Sequence, residues 1–204
     1  SMSEQVVAKY GGTSMAQIEV VTANIEANPE QQVIVPSAFG RFNPNDTKIP
    51  DTLIKYVRTG NTEFSDNVLD RFRIVFSALD KRDASVLMNQ AYHDLNNKKA
   101  SANFTVSRGE YYSGRALSLL LGAEFIDATD IFWFGPEGFD RQHTDQLIRQ
   151  RLGKLSTGQR IVIPGYYGMD RRHDIHLFDR GGSDRSGAVL GSTLGWDYEN
   201  WTDT

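Results

Sequence analysis

The sequence contains no cysteine, so neither a disulfide framework nor thiolate chemistry is open to it, and a reducing, cytoplasmic setting is expected. It has no apolar run approaching the roughly 18 residues of a membrane span, so no membrane partner is expected. An excess of positive charge is missing too: 22 Lys and Arg stand against 26 Asp and Glu, a net charge of -4, which argues against nucleic acid as a partner. What is present is a globular composition, 39% hydrophobic and 24% charged over 204 residues. That is one domain with enough chain to bury a core.

The stretch that organises the rest is Val6-Val7-Ala8-Lys9-Tyr10-Gly11-Gly12-Thr13-Ser14. An apolar β-prone run delivers a lysine and two glycines to a helical pattern that starts at Ala16. Glycines let backbone N–H groups approach an anion closely, and a helix N-terminus adds favourable partial charge. Lys9 adds a full charge. The order is not that of a Walker loop, because the lysine precedes the glycines. Ile18, Val21 and Ile25 carry the helix to Ala27, and Gln32 to Val35 is a second strand, closing a βαβ unit. The loop Pro36-Ser37-Ala38-Phe39-Gly40 then leaves the end of that strand, where open α/β sheets hold ligands.

Asn43 to Pro50 reads as a loop, and 51–98 as an uninterrupted helical excursion whose stripe Phe64, Val68, Phe72 and Phe76 is core packing. A helix over Ser101 to Leu121 carries Gly109 in its middle. A glycine there costs about 1 kcal/mol against alanine, so it marks a close approach, with Glu110 placed to meet a cation. Glu124 to Ala128 reads as a strand, Ile131 to Phe134 as an extended piece, and Asp140 to Leu152 as a helix. The strands Arg160 to Pro164 and Asp174 to Phe178 read as a hairpin around Met169 to Arg172. His173 and His176, with Asp170 and Asp174, have the residue types of a metal site. Three apart on a strand, however, the histidines point to opposite faces, and no metal ligand is assigned.

A second strand–glycine–helix turn follows, Arg180-Gly181-Gly182-Ser183-Asp184. Its arginine fork suits a carboxylate, and Ser183 and Asp184 are natural N-cap types. A last strand spans Trp196 to Trp201. Two glycine turns with a cation each, together with the carboxylates Glu110 and Asp184, suit a small zwitterion facing a nucleotide phosphate. The lack of a cleft histidine fits an acceptor that is already ionised, such as a carboxylate.

Lys9-Tyr10-Gly11-Gly12-Thr13-Ser14, Ser107-Arg108-Gly109-Glu110, Arg180-Gly181-Gly182-Ser183-Asp184 and Tyr198-Glu199-Asn200-Trp201-Thr202-Asp203 resemble, in order, the motifs of the aspartokinase family of the amino-acid-kinase superfamily. The resemblance implies an α/β fold: a three-layer α/β/α sandwich with a mainly parallel central sheet, of the carbamate-kinase-like type. It implies phosphoryl transfer from ATP, with Mg2+, to the side-chain carboxylate of L-aspartate, a step of lysine biosynthesis, in a homodimer. By the resemblance Lys9 and Asp184 are catalytic, and Ser37, Glu110, Arg180 and Ser183 hold the substrate. Lys9, Gly11, Gly12, Ser14, Thr202 and Asp203 meet the nucleotide.

The sequence departs from the family in three places. The segment after Gly40 is expanded. Pro50 stands where the family has a substrate-contacting threonine, leaving Thr47 and Thr52 as substitutes. The residues 4–204 correspond to the amino-acid-binding part of the kinase domain, and the sequence ends where the family's ATP half and ACT domains would follow, so a truncated chain is expected. A binding module without catalysis, or a superfamily kinase for another carboxylate, are the alternatives.

Overall fold

In a computed structural model, which describes residues 5–179 and 181–202, five strands make an all-parallel sheet. Its members are β1 (Val6–Tyr10), β2 (Gln31–Pro36), β3 (Glu124–Phe125), β6 (Ile161–Val162) and β9 (Asp197–Trp201), in the order β3-β6-β2-β1-β9. Successive side chains of a strand point to opposite faces, and the core divides accordingly. Ala8, Tyr10, Ile34 and Val162 belong to one buried cluster, and Val7, Val33, Val35, Ile161 and Ile163 to the other. A near-continuous apolar run buried on both faces is what a central parallel strand requires.

The first face is covered by α2 (Ile18–Glu26), α6 (Ala102–Leu121) and the helices α3 (Ile49–Thr59), α4 (Thr62–Phe76) and α5 (Lys81–Leu95). The second is covered by α7 (Arg141–Leu152), α8 (Gly182–Leu194) and a small second sheet. The three-layer sandwich follows. Phe72 and Phe76 of α4 are buried against Phe39 and Tyr112, so the phenylalanine stripe is core.

Several local expectations change. The helix after the first glycine turn begins at once, as the single turn α1 (Gly12–Met15), and breaks at Gln17 before α2. Pro50 lies inside the first turn of α3 rather than in the loop before it; a proline there gives up an N–H that has no helical partner anyway. Strand β3 stops at Phe125, and Ala128–Asp130 is a 3-10 turn capped by Asp127. The 160–164 strand is not half of a hairpin: β6 pairs in parallel with β2 and β3. The hairpin is made by a separate strand, β7 (Tyr167–Asp170), with β8 (Ile175–Leu177). These join β4 (Trp133–Gly135) and β5 (Gly138–Phe139) in the second sheet, ordered β5-β4-β7-β8. His173 sits in the hairpin turn with φ +65, so alternation along one strand does not describe the two histidines. His176 instead bonds Asp170 at 2.8 Å.

Candidate active site

All five strands of the main sheet run the same way, so the segments that leave their C-terminal ends gather along one edge. Tyr10 is in register with Pro36 on one side and Trp201 on the other. Residues 11–14, 37–40, 163–166 and 202 therefore emerge side by side.

At the first turn, Gly11 donates its N–H to Trp201 O at 3.0 Å, and Ser14 turns its hydroxyl to the same oxygen at 3.5 Å. The N–H groups of Gly12, Thr13 and Ser14 find no acceptor among the described residues. Thr202 lies beside Gly11: a Cβ on Gly11 would sit 4.0 Å from its Cα. Gly40 packs so tightly on this turn that a Cβ there would collide with the Gly12 carbonyl. Lys9, 9% exposed, reaches along the strand to place Nζ 3.3 Å from Asp184 Oδ1. The same oxygen accepts from the Tyr198 hydroxyl and Asn200 Nδ2, each at 2.9 Å. Asp184 thus pairs the second turn with the lysine of the first.

The second turn has Gly181 as N-cap, at φ +78, a conformation that suits glycine. Ser183 and Asp184 consequently lie inside the first turn of α8 and are not its caps. The segment 165–166 closes over them. A Cβ on Gly165 would come within 2.8 Å of Ser183 Cα, and the Tyr166 ring lies against Gly182. Tyr166 has φ +86, rare for a side-chain-bearing residue. It is held there by Phe178 N–H on its carbonyl at 2.7 Å and by its own N–H on Ser186 Oγ at 3.1 Å.

Glu110 is 3% exposed, and its Oε2 has no hydrogen-bond partner among the described residues. Burial pushes its carboxyl up to about 8; the backbone N–H groups of Glu110 and Ala38, and then Arg108, pull the other way. Its negative charge in turn helps burial to raise the Tyr166 hydroxyl to about 12. Glu110 therefore lies beside the 37–40 loop, which touches the first glycine turn, and near enough to Tyr166, which touches the second, for its charge to act there. Gly109 makes this possible, since a Cβ there would meet Ile49 Cγ2 at 2.8 Å and Ala38 Cβ at 3.0 Å. Ser37 is half-buried and pinned at its backbone: its N–H bonds Tyr10 O at 2.9 Å and its carbonyl accepts from Ser113 Oγ at 2.5 Å.

Thr47 and Thr52, the two substitutes for the threonine replaced by Pro50, share a hydrogen bond of 2.6 Å. Thr52 is buried and Thr47 half-buried. Arg180 and Asp203 lie outside the described residues.

Tyr166 and Arg71 were not singled out from the sequence. A side-chain-bearing residue in a Gly-Tyr-Tyr-Gly turn gives no warning of positive φ. Arg71 did leave a signal, for it falls three after Val68 and four before Val75, on the buried stripe of α4.

A family model described as "Amino acid kinase family" matches residues 4–204. Aspartokinase 3 of Bacillus subtilis is 26% identical over 97% of the chain and 48% of its own length. The crystal structure of the Clostridium acetobutylicum aspartate kinase is 30% identical, with a TM-score of 0.82 over 98% of this chain and 48% of that one. Escherichia coli aspartokinase III in complex with aspartate and ADP, 22% identical and with a TM-score of 0.75 over 98% of this chain and 49% of that one, shares the fold. The chain spans about half the length of these relatives.

Proposed function

The chain belongs to the amino acid kinase family, and from that premise we propose that it is the amino-acid-binding part of an aspartate kinase. The reaction is transfer of the terminal phosphoryl group of ATP to the side-chain carboxylate of L-aspartate, giving β-aspartyl phosphate. The observation that carries the reading is Glu110: a buried carboxylate with an unpartnered oxygen, set between the loops that lead to two glycine turns. An acid in that position waits for a cation, and the ammonium of an amino acid supplies one.

The other roles follow from charge and placement. Arg180, by its motif, takes the α-carboxylate, with Ser183 and Ser37 beside it. Lys9 stabilises negative charge on the transferring group, and Asp184, fixed by Tyr198 and Asn200, orients the lysine ammonium. The unpaired N–H groups at Gly12 to Ser14 favour phosphate oxygens, with Gly11, Thr202 and Asp203 next to them. The acceptor carboxylate is ionised at neutral pH and needs no general base, so catalysis is positioning and electrostatic stabilisation. Among the described residues no group of three or more His, Asp or Glu side chains could hold a metal ion. Mg2+ would be held chiefly by the nucleotide phosphates, a usual mode for that ion, where it neutralises their charge. A homodimer in a cytoplasmic setting completes the proposal.

Titration calorimetry with L-aspartate, L-glutamate and N-acetylglutamate tests it. Aspartate is expected to bind in preference to the other two. Lys9→Met should leave that affinity within about twofold, while Glu110→Gln should weaken it about tenfold, the cost of one charge-assisted contact. Preference for glutamate, or equal affinity in wild type and Glu110→Gln, would overturn the assignment.

A further inference from the structure

Arg71 on α4 is 2% exposed, and burying a guanidinium is costly unless its donors are met. Here they are met, and mostly by one segment. Nη1 donates to Thr47 O at 2.7 Å and reaches Gly40 O at 3.5 Å. Nη2 donates to Thr52 Oγ1 at 3.2 Å, and both Nε and Nη2 donate to Asn67 Oδ1, one turn earlier on the same helix. Asp46, also buried, stands 3.9 Å from Nε. It accepts the N–H groups of Phe42 and Asn43 and the Asn67 amide. Apart from Asn67, every partner of the guanidinium lies between residues 40 and 52.

That segment has no strand or helix before Ile49, so side chains must fix its shape. Its two ends are also the walls of the candidate site. Gly40 rests on the Gly12 carbonyl, and Ile49 fills the notch left by Gly109, next to Glu110. A displacement of this segment therefore changes the spacing between the first glycine turn and the buried carboxylate. An apolar residue of similar volume would hold α4 in the core equally well, whereas only a fork of donors can gather two carbonyls of the irregular loop, Gly40 and Thr47, and the Thr52 hydroxyl in the first turn of α3.

We propose that Arg71 is a positioning residue: it clamps residues 40–52 so that the first glycine turn and Glu110 are held at a fixed separation. Its effect on ligand rests on the reading of the site as an aspartate site; its effect on the loop does not.

Hydrogen exchange and calorimetry on Arg71→Met, Arg71→Lys and a core control, Val68→Ala, test the proposal. In Arg71→Met the amides of Phe42, Asn43, Asn45 and Asp46 should exchange at least about tenfold faster, with those of Met15 and Ala16 following, while the α5 amides keep their protection. Aspartate affinity should fall about tenfold, with Arg71→Lys intermediate because it keeps the charge but loses the fork. Val68→Ala should lower stability without this selective loss. Unchanged protection at residues 42–46, or the same loss in Val68→Ala, would overturn the clamp. Should Arg71→Met not fold, Arg71→Lys carries the same comparison. Selective loss of protection in Arg71→Met, together with a wild type that binds no aspartate, would uphold the clamp and reject the aspartate reading.

Discussion

At the scale of the residue, the proposed reading rests most heavily on Glu110. Its carboxyl is raised from 4.5 to about 8 by burial, so the folded ligand-free protein keeps a proton that the unfolded chain has already released. The folded state then binds more protons than the unfolded one, and stability must fall as pH rises through the window between those two values. The urea midpoint of the ligand-free protein is accordingly expected to decrease from about pH 5 to about pH 8. That slope should be largely absent in Glu110→Gln, whose amide does not titrate. A wild-type midpoint that is flat, or that rises over this range in step with Glu110→Gln, would show that the group is not buried as described.

At the scale of elements, α6 approaches the sheet only as closely as Gly109 allows. Alanine at that position gains about 1 kcal/mol of helix propensity but drives a methyl into Ile49 and Ala38, at 2.8 and 3.0 Å. Overpacking of this kind costs about 1–3 kcal/mol. Gly109→Ala is therefore expected to lose about 1 kcal/mol net, read by urea unfolding, and to weaken aspartate binding because the 37–40 loop must move. A variant more stable than wild type with unchanged affinity would remove Gly109 from the account.

The same elements show what could be read in the sequence. β1 and β2 were legible as continuous β-prone apolar runs, buried on both faces, and the long helices as apolar residues recurring at helical spacing. Gly109 was legible as a close approach, though not its partners. Of the second sheet, β4 and β8 were legible as the extended piece Ile131 to Phe134 and the strand Asp174 to Phe178, whereas β5 and β7 carry too few alternations to be told from turns. Arg71 and Arg73 are hard to tell apart in the sequence, since two arginines two residues apart on an amphipathic helix both suit a solvated face. Arg73 is indeed exposed and paired with Asp70, and only the inward position of Arg71 separates them. Tyr166 depends on contacts with Gly182, Ser186 and Phe178, none of them local, so no local pattern could announce it.

At the scale of the molecule, the main sheet, buried on both faces, carries the first glycine turn after β1, the second sheet leads through β8 to the second, and Glu110 of α6 lies behind the loops beside them. The same acid that destabilises the empty protein as pH rises becomes useful when a cation arrives, because an ammonium beside Glu110 favours its ionised form. Near neutral pH the empty site holds the proton and the occupied site does not. Aspartate binding at pH 7 must then expel a proton, and calorimetric titrations in buffers of low and high ionisation enthalpy measure it directly. The account predicts release of about one proton per aspartate bound in the wild type and close to none in Glu110→Gln. Binding heats that are the same in every buffer for the wild type, or a proton release that survives in Glu110→Gln, would contradict it.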